Sequence, residues 1–128
     1  MSLNIKDLFN IEGKIAVVTG GSRGIGEMIA SGFLANGAKV YITARKEEAL
    51  IAKAEELSNK YTSECVPFCA DLSKEEGISG FVNFLTDKEP AGIDFLINNA
   101  GAAWGAPFDE YPIEGWDKVV DINLKSPF

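Results

Sequence analysis

Histidine is absent from this 128-residue sequence, and cysteine occurs only twice. A zinc site needs several such ligands, so we expect no bound metal. The two cysteines, Cys65 and Cys69, flank Pro67 in a stretch that the sequence indicates is extended. At that spacing on a strand they would lie roughly 13 Å apart, which is too far for a disulfide bond. We therefore expect two small buried thiols.

Long apolar runs and basic patches are missing as well. No stretch approaches the roughly 18 apolar residues that span a membrane, and residues 1–10 lack the basic start and apolar core of a secretory signal. Lysine and arginine total 12 against 19 aspartates and glutamates, a net charge of −7. This balance argues against nucleic-acid and anionic-membrane partners. Length and apolar content predict one cytoplasmic domain, residues 1–128, with a sizeable core.

The most informative stretch, residues 19–26, reads Thr-Gly-Gly-Ser-Arg-Gly-Ile-Gly. It follows an apolar run typical of a buried parallel strand and precedes a predicted helix that Asn36-Gly37 would end. A helix start offers unpaired N–H groups, and glycines let a pyrophosphate approach the backbone. The spacing Gly-x-x-x-Gly-x-Gly differs from the common fingerprint Gly-x-Gly-x-x-Gly, so the cluster alone could be a tight connection. The flanking strand and helix favour phosphate binding.

The rest of the chain alternates predicted strands and helices. Further strands are predicted at residues 39–43, 65–68 and 93–97, and further helices at 46–59, at 73–85 and from about Ile113 or Trp116 onward. Such alternation indicates a parallel sheet with helices on both faces. Pro67 suits an outer strand. The sequence therefore predicts an α/β, doubly wound sheet with strand order 3-2-1-4.

Local patterns also predict which side chains face the core. The helix after the glycine turn should pack with Ile25, Met28, Ile29, Gly32 and Phe33. The next helix should use Ala49, Leu50, Lys53, Ala54 and Leu57, with the lysine at its margin, and the third should use Ile78, Phe81, Val82 and Leu85. Ser73 and Glu76 resemble a capping box that opens the third helix.

Four motifs, in their order and spacing, resemble the N-terminal half of the short-chain dehydrogenase/reductase family. They are Thr19-Gly20-x-x-x-Gly24-Ile25-Gly26, Asp71-Leu72, Asn98-Asn99-Ala100-Gly101 and Asn123. The family is about twice as long, so the resemblance implies a Rossmann-like, dinucleotide-binding domain truncated after its fourth β-α unit. Within the family, the run from Trp104 to Trp116 is most similar to bacterial 3-oxoacyl reductases of the rhamnolipid-associated type.

The resemblance implies roles for particular residues. The implied cofactor-binding set is Gly20, Ser22, Arg23, Gly24, Ile25, Gly26, Arg45, Asp71, Leu72, Asn98, Ala100 and Gly101. Asp71 would accept the adenine amino group, although it could simply begin a turn. The asparagines after the fourth strand would hold strands together beside the ribose, or merely form a turn. Asn123, the implied catalytic residue, would widen its helix and fix a water in the proton relay; the alternative is a structural asparagine whose amide finds buried partners.

Two arginines predict NADP(H) rather than NAD(H) as the cofactor. Arg45 lies where dinucleotide-binding folds carry an acidic residue for the ribose 2′-hydroxyl, and arginine there accommodates a 2′-phosphate. Arg23 lies in the glycine turn itself. The alternative is that Arg45 merely starts a helix and points into water.

The implied activity is hydride transfer to a ketone, such as a 3-oxoacyl thioester or a similar carbonyl, by a cytoplasmic homo-oligomer when full length. In this family a serine and a Tyr-x-x-x-Lys pair complete the chemistry. Here Tyr41, Tyr61 and Tyr111 are followed at that spacing by Arg45, Cys65 and Gly115. We therefore expect the 128-residue chain alone to be inactive. A non-catalytic nucleotide-binding or interaction module, or a fragment without independent function, are the alternatives.

Overall fold

The computed structural model describes residues 3–128. Its elements, in chain order, are α1 (Ile5–Leu8), β1 (Ile15–Val18), α2 (Gly24–Ala35), β2 (Lys39–Ala44), α3 (Glu47–Tyr61), β3 (Cys65–Cys69), α4 (Glu75–Lys88), β4 (Phe95–Ile97), a 3₁₀ turn (Phe108–Glu110) and α5 (Ile113–Val120). A π-helical turn, Asp121–Lys125, continues α5. No helix in this described part is long and apolar enough to cross a membrane.

The four strands form one sheet in the order β3-β2-β1-β4, as the alternation predicted. All neighbours are parallel, with Val17 of the central β1 opposite Tyr41 of β2 and Leu96 of β4. Pro67 lies in β3, an edge strand, where its missing N–H costs no ladder bond on the outer side. Because the strands are parallel, the glycine turn after β1 and Arg45 after β2 lie at the same, carboxyl edge of the sheet.

Two apolar clusters cover the two faces of the sheet. On one face, Ala16 and Val18 of β1 pack with α2 and α3; on the other, Val17 packs with Tyr41 and with Phe81 of α4. Successive residues of a strand point to opposite faces, so a strand covered on both faces must be apolar throughout. This requirement explains the continuous apolar run that marked β1 in the sequence.

The predicted inner face of α2 is wrong in part. Its buried residues are Gly26, Ala30 and Leu34, whereas Ile25 is 70% exposed and Met28 is 72% exposed. Small residues let this helix approach the sheet closely, because a Cβ atom at Gly26 would overlap the carbonyl oxygen of Gly20. A prediction from the spacing of large apolar residues therefore selects a face of α2 next to the one that is buried. Ile29 and Phe33, from the same predicted set, do pack against the core.

Two other local expectations fail at the ends of elements. The residue that caps α4 is Lys74, without a side-chain hydrogen bond, so Ser73 forms no capping box. Ser73 instead donates its hydroxyl hydrogen to Asp71 Oδ1 at 2.7 Å. Cys69 is exposed at the end of the edge strand β3 and only Cys65 is buried, although both are free thiols as expected. Burial raises the pKa of the Cys65 thiol to about 12.

In α3 and α4 most of the predicted core positions are correct. Leu50, Ala54 and Leu57 are buried, whereas Ala49, in the first turn of α3, is exposed. In α4 Phe81 is buried and Val82 is half exposed. An open apolar groove of about 410 Å³ lies beside Val82, between α4 and β4. Within residues 3–128 the only strand that pairs with β4 is β1.

Candidate cofactor site

The glycine turn at the carboxyl end of β1 contains glycines for two different reasons. Gly20 and Gly24 have φ angles of 65° and 57°, a left-handed region that side chains with a Cβ disfavour. Gly26 has no such backbone requirement. It is a glycine because α2 starts against the preceding turn, where a Cβ atom would lie 2.6 Å from Asn99 Nδ2. The motif thus brings the start of the helix onto the turn itself.

The start of α2 has the properties of an anion site. Its N-cap, Arg23, makes no side-chain capping bond. Within residues 3–128, no protein acceptor takes the amide hydrogens of Gly24, Ile25 or Gly26. A Cβ atom at Gly24 would meet nothing within 4 Å, so the space beside the turn is open. Unpaired N–H groups and the positive end of a helix dipole suit a phosphate, and this donor set therefore fits a pyrophosphate group.

Thr19 and Asn99 fasten the turn to the segment that follows β4. The Thr19 hydroxyl oxygen accepts the N–H groups of Asn99 at 3.0 Å and Ala100 at 2.9 Å. In return Asn99 Nδ2 donates to the carbonyl oxygens of Thr19 at 3.0 Å and Gly20 at 3.2 Å. Neither Thr19 nor Asn99 is among the predicted cofactor-binding residues, although both lie in the motifs of the resemblance. The contact brings Ala100 against Gly20, where a Cβ atom would lie 3.1 Å from Ala100 Cα.

Thr43 holds the same turn from the opposite side. Its hydroxyl oxygen accepts the N–H of Gly20 at 3.3 Å, and its carbonyl oxygen accepts the N–H of Gly21 at 3.2 Å. Thr43 is buried in β2. In the sequence, a threonine at this position indicates only a strand, because threonine is common in strands. Sequence reasoning missed it, because nothing local in the sequence marks a contact between neighbouring strands.

Asp71 forms a turn and still has a free carboxylate oxygen. Its Oδ1 accepts the Ser73 N–H at 3.1 Å and the Ser73 hydroxyl at 2.7 Å. The Ser73 hydroxyl is the main cause that lowers the Asp71 pKa, and the positive charge of Arg45 contributes a smaller effect in the same direction. Within residues 3–128 no hydrogen bond reaches Oδ2. Both readings of Asp71, turn former and adenine acceptor, are therefore compatible with its geometry.

Arg23, Ser22 and Arg45 lie around this edge of the sheet. Arg23 precedes α2 and is exposed, Ser22 beside it is partly buried, and Arg45 is exposed just beyond β2. The Arg45 carbonyl oxygen accepts a hydrogen bond from Cys69 Sγ at 3.5 Å, which ties the ends of β2 and β3 together. Leu72, next to Asp71, is buried in the core.

Asn123 connects the last helix to the loop after β4. Its Nδ2 donates to the Ala102 carbonyl oxygen at 2.7 Å, and its Oδ1 accepts the Ala102 N–H at 3.2 Å. Gly101 lets the two segments meet, because a Cβ atom there would lie 2.7 Å from Asn123 Oδ1. The surroundings differ from the expectation, since Asn123 is exposed rather than buried. The helix widening implied by the resemblance is present as the π-helical turn.

Residues 14–128 match the family described as short chain dehydrogenase. This chain belongs to that family. Over 120 residues it is 47% identical to the rhamnolipids biosynthesis 3-oxoacyl-[acyl-carrier-protein] reductase of Pseudomonas aeruginosa, a match that covers 94% of this chain and 46% of that protein. A sorbose reductase of Candida albicans is 35% identical over 127 residues, with 98% and 44% covered. This chain thus spans about half the length of the curated relatives it matches.

Solved structures agree with this assignment. The complex of Pseudomonas aeruginosa RhlG with NADP has a TM-score of 0.87 at 48% identity, covering 94% of this chain and 46% of that chain. The L-sorbose reductase of Gluconobacter frateurii, complexed with NADPH and L-sorbose, has a TM-score of 0.88 at 31% identity, covering 92% and 44%. Both are complexes with the phosphorylated cofactor, which agrees with the cofactor predicted from Arg23 and Arg45.

The three tyrosines of this chain are engaged away from the glycine turn. The Tyr41 hydroxyl donates to Glu89 Oε1, and the Tyr111 hydroxyl donates to the Trp104 carbonyl oxygen at 3.4 Å. Burial is the main cause that raises the pKa of Tyr41. A hydrogen bond with Ser31 lowers the pKa of Tyr61. None of the three is followed by a lysine one helical turn later, so the chain has no Tyr-x-x-x-Lys pair.

Proposed function

We propose that this chain is the cofactor-binding half of an NADP(H)-dependent oxidoreductase that transfers a hydride to a ketone. The observation that carries the proposal is the uncapped start of α2, which is open beside Gly24 and follows a turn that is hydrogen-bonded to β2 and to the segment after β4. The net charge of −7 makes such a local anion site necessary, because the whole chain repels phosphate. The same charge argues against nucleic-acid and anionic-membrane partners, and we propose a cytoplasmic homo-oligomer for the full-length enzyme.

Each segment of the site would bind one part of the cofactor. The residues proposed to bind it are Gly20, Ser22, Arg23, Gly24, Ile25, Gly26, Arg45, Asp71, Leu72, Asn98, Ala100 and Gly101. The free N–H groups of α2 would hold the pyrophosphate, and Arg23 and Arg45 the 2′-phosphate. The free Oδ2 of Asp71 would accept the adenine amino group. The segment after β4 would lie along the ribose.

The cofactor supplies the hydride when bound, so the protein must position it and deliver a proton. Asn123 is the one residue of this chain that we assign to the catalytic set. Both ends of its carboxamide are held by Ala102, which fixes the side chain beside the segment after β4. A positioned proton donor typically contributes about 10²–10⁴-fold to the rate. Without a Tyr-x-x-x-Lys pair, the 128-residue chain is proposed to bind the cofactor without reducing a ketone.

The proposed substrate is a 3-oxoacyl thioester or a similar carbonyl. Support comes from the degree of similarity: the 3-oxoacyl reductase of Pseudomonas aeruginosa is 47% identical, against 35% for the sorbose reductase of Candida albicans. A nucleotide-binding module without turnover is the second candidate, and the missing tyrosine–lysine pair favours it for the chain on its own.

Cofactor titration tests the binding half of the proposal. We expect the 128-residue chain to bind NADPH more tightly than NADH in a fluorescence or calorimetric titration. Arg45→Asp should weaken NADPH binding by about tenfold or more, because it replaces a charge-assisted contact with repulsion. Lys6→Asp, the same charge change in α1, is the matched control and should have little effect. Preference for NADH, or equal loss in both variants, would refute the assignment.

Turnover tests the catalytic half separately. NADPH oxidation with a 3-oxoacyl thioester should stay at the background rate with the 128-residue chain, even at cofactor saturation. Binding without turnover supports the proposal that this chain binds the cofactor but does not supply the proton donor. Turnover at the pace of an ordinary enzyme, about 1 s⁻¹ or faster, would refute it and would require a proton donor that we have not identified.

A further inference from the structure

A buried hydroxyl group lies between the two segments proposed to hold the phosphates of the cofactor. Thr43 is 1% exposed, and Thr19 is the other buried polar residue of the described chain. Thr19 bonds to the segment after β4, as described above, whereas Thr43 belongs to β2. Its oxygen accepts the N–H of Gly20, the first glycine of the turn. Arg45 follows two residues later along the same strand end.

The strand register explains why Thr43 reaches the turn. Val18 of β1 is paired with Ile42 of β2, so the residues that follow them, at the start of the turn and at Thr43, lie side by side. The N–H groups of Gly20 and Gly21 both go to Thr43, one to its hydroxyl and one to its carbonyl oxygen. These two donors therefore point into the protein. The donors that remain for an anion are those at the start of α2.

The hydroxyl of Thr43 holds the N–H end of a peptide whose carbonyl end, at Thr19, accepts a hydrogen bond from Asn99. Gly20 has a φ of 65° and carries no side chain that could hold its conformation. Within residues 3–128, Thr43 Oγ1 is the acceptor of its N–H. Loss of that acceptor would leave a partly buried N–H without a partner. On the β2 side the turn would then be held by the bond from the Gly21 N–H to the Thr43 carbonyl oxygen.

We infer that Thr43 is a positioning residue for the cofactor: its hydroxyl oxygen orients the Gly20 peptide and sets the spacing between the pyrophosphate turn and Arg45. The inference rests on the proposed function, since it assigns these two segments to two phosphate groups of one ligand. It predicts that Thr43 matters for a ligand that must reach both segments at once. A ligand that reaches only the Arg45 side should not depend on it.

Two substitutions separate the hydroxyl from the shape of the side chain. Thr43→Val keeps the volume and removes the acceptor, and Thr43→Ser keeps the acceptor. We expect Thr43→Val to weaken NADPH binding roughly 2- to 10-fold, as loss of one hydrogen bond would, and Thr43→Ser to restore it. Thr86→Val, at an exposed threonine of α4 whose hydroxyl bonds to the Val82 carbonyl oxygen, is the matched control and should change nothing.

A truncated ligand distinguishes positioning from general damage. Adenosine 2′-monophosphate carries the adenine and the 2′-phosphate but no pyrophosphate, so of the glycine turn it reaches only Arg23. Thr43→Val should therefore weaken its binding less than that of NADPH. Equal losses for this ligand and for NADPH would overturn the inference, as would a loss that Thr43→Ser fails to restore.

Amide hydrogen exchange supplies a test without any ligand. In the wild-type chain the Gly20 amide should exchange more slowly than the Gly24 amide, because only the former has an acceptor. Thr43→Val should remove that difference. Rapid exchange at Gly20 in the wild-type chain would overturn the inference even if the variant failed to fold. If the wild-type chain binds no NADPH, the proposed function fails, while this measurement still decides whether Thr43 holds the turn.

Discussion

Two glycines of α2 should respond in opposite ways to the same substitution. Alanine in a helix interior is favoured over glycine by about 0.5–1 kcal/mol. Gly32 is exposed, and a Cβ atom there would meet nothing within 4 Å. Gly32→Ala should therefore gain this full amount. At Gly26 the same gain is opposed by the packing of α2 against the glycine turn.

The size of that opposition follows from the atoms that a methyl group would meet. At Gly26 it would overlap the Gly20 carbonyl oxygen and would lie 2.6 Å from Asn99 Nδ2 and 2.9 Å from the Gly20 carbonyl carbon. The Gly20 atoms belong to the backbone, and Asn99 is held by two hydrogen bonds, so neither can turn aside cheaply. Overpacking of this kind costs about 1–3 kcal/mol. Because the overlap is with backbone atoms, we expect the upper end of this range, and the helix-propensity gain then leaves a net loss of about 2 kcal/mol for Gly26→Ala.

Urea unfolding followed by circular dichroism measures both free energies of unfolding. With a slope of about 1–3 kcal/mol per molar urea, the midpoint of Gly32→Ala should rise and that of Gly26→Ala should fall, each by some tenths of a molar or more. Gly26→Ala should also weaken NADPH binding, because α2 can accommodate the methyl group only by moving from the turn. A Gly26→Ala variant as stable as wild type would refute the close approach of helix and turn. A loss of stability in Gly32→Ala would refute the open surroundings of that residue.

Three further predictions concern other parts of the chain. Lys39 beside Glu89 lowers the pKa of that carboxyl, so its stabilising contribution is complete above the ordinary carboxyl range and is lost as the pH falls through the lowered pKa. Glu89→Gln should therefore flatten the loss of stability between about pH 5 and pH 3 in urea titrations. Thr19→Val leaves two backbone N–H groups after β4 without their acceptor and should cost about 1–3 kcal/mol by thermal unfolding. A thiol reagent should modify Cys69 in the folded chain and Cys65 only on unfolding.

The sheet was predictable because its determinants are local. Each strand is marked by its own apolar or β-branched run, and the helices between them allow only parallel pairing. Pro67 then places β3 at an edge, which fixes one end of the strand order. The boundaries shift by a few residues, most of all in β4, which is three residues long where five were expected.

The packing face of α2 was mispredicted because closeness and hydrophobicity are different properties. Gly26, Ala30 and Leu34 recur every four residues and lie against the sheet. Gly26 and Ala30 are too small to be counted among large apolar side chains. The larger Ile25 and Met28 lie on the exposed side. A stripe of small residues that begins inside a glycine motif is the signal that would have found the correct face.

The contacts that hold the site were the least predictable part. Motif spacing located the glycine turn, Asp71 and the segment after β4, all of which lie along the carboxyl edge of one sheet. It could not locate Thr43, because the hydrogen bond from Gly20 joins residues on neighbouring strands. Ser73 was assigned to a helix cap, where its hydroxyl oxygen would accept a backbone N–H. The N-cap is Lys74 instead, and the Ser73 hydroxyl donates to the aspartate two residues earlier. A side chain that bonds to a neighbouring segment can be predicted only when the register of the strands is known in addition to the motif.

The arrangement separates cofactor binding from proton delivery within the family fold. Every group that we assign to the pyrophosphate, the 2′-phosphate and the adenine comes from the ends of β1, β2 and β3 or the start of α2, and these segments are joined to one another by hydrogen bonds within this chain. Asn123 is the single catalytic candidate, and it reaches the site through Ala102. Because affinity for a dinucleotide depends on preorganised phosphate and adenine contacts, we expect the chain to bind the cofactor although it has no Tyr-x-x-x-Lys pair. Substitutions at the strand ends should therefore change the NADPH dissociation constant, whereas substitution of Asn123 should leave it nearly unchanged.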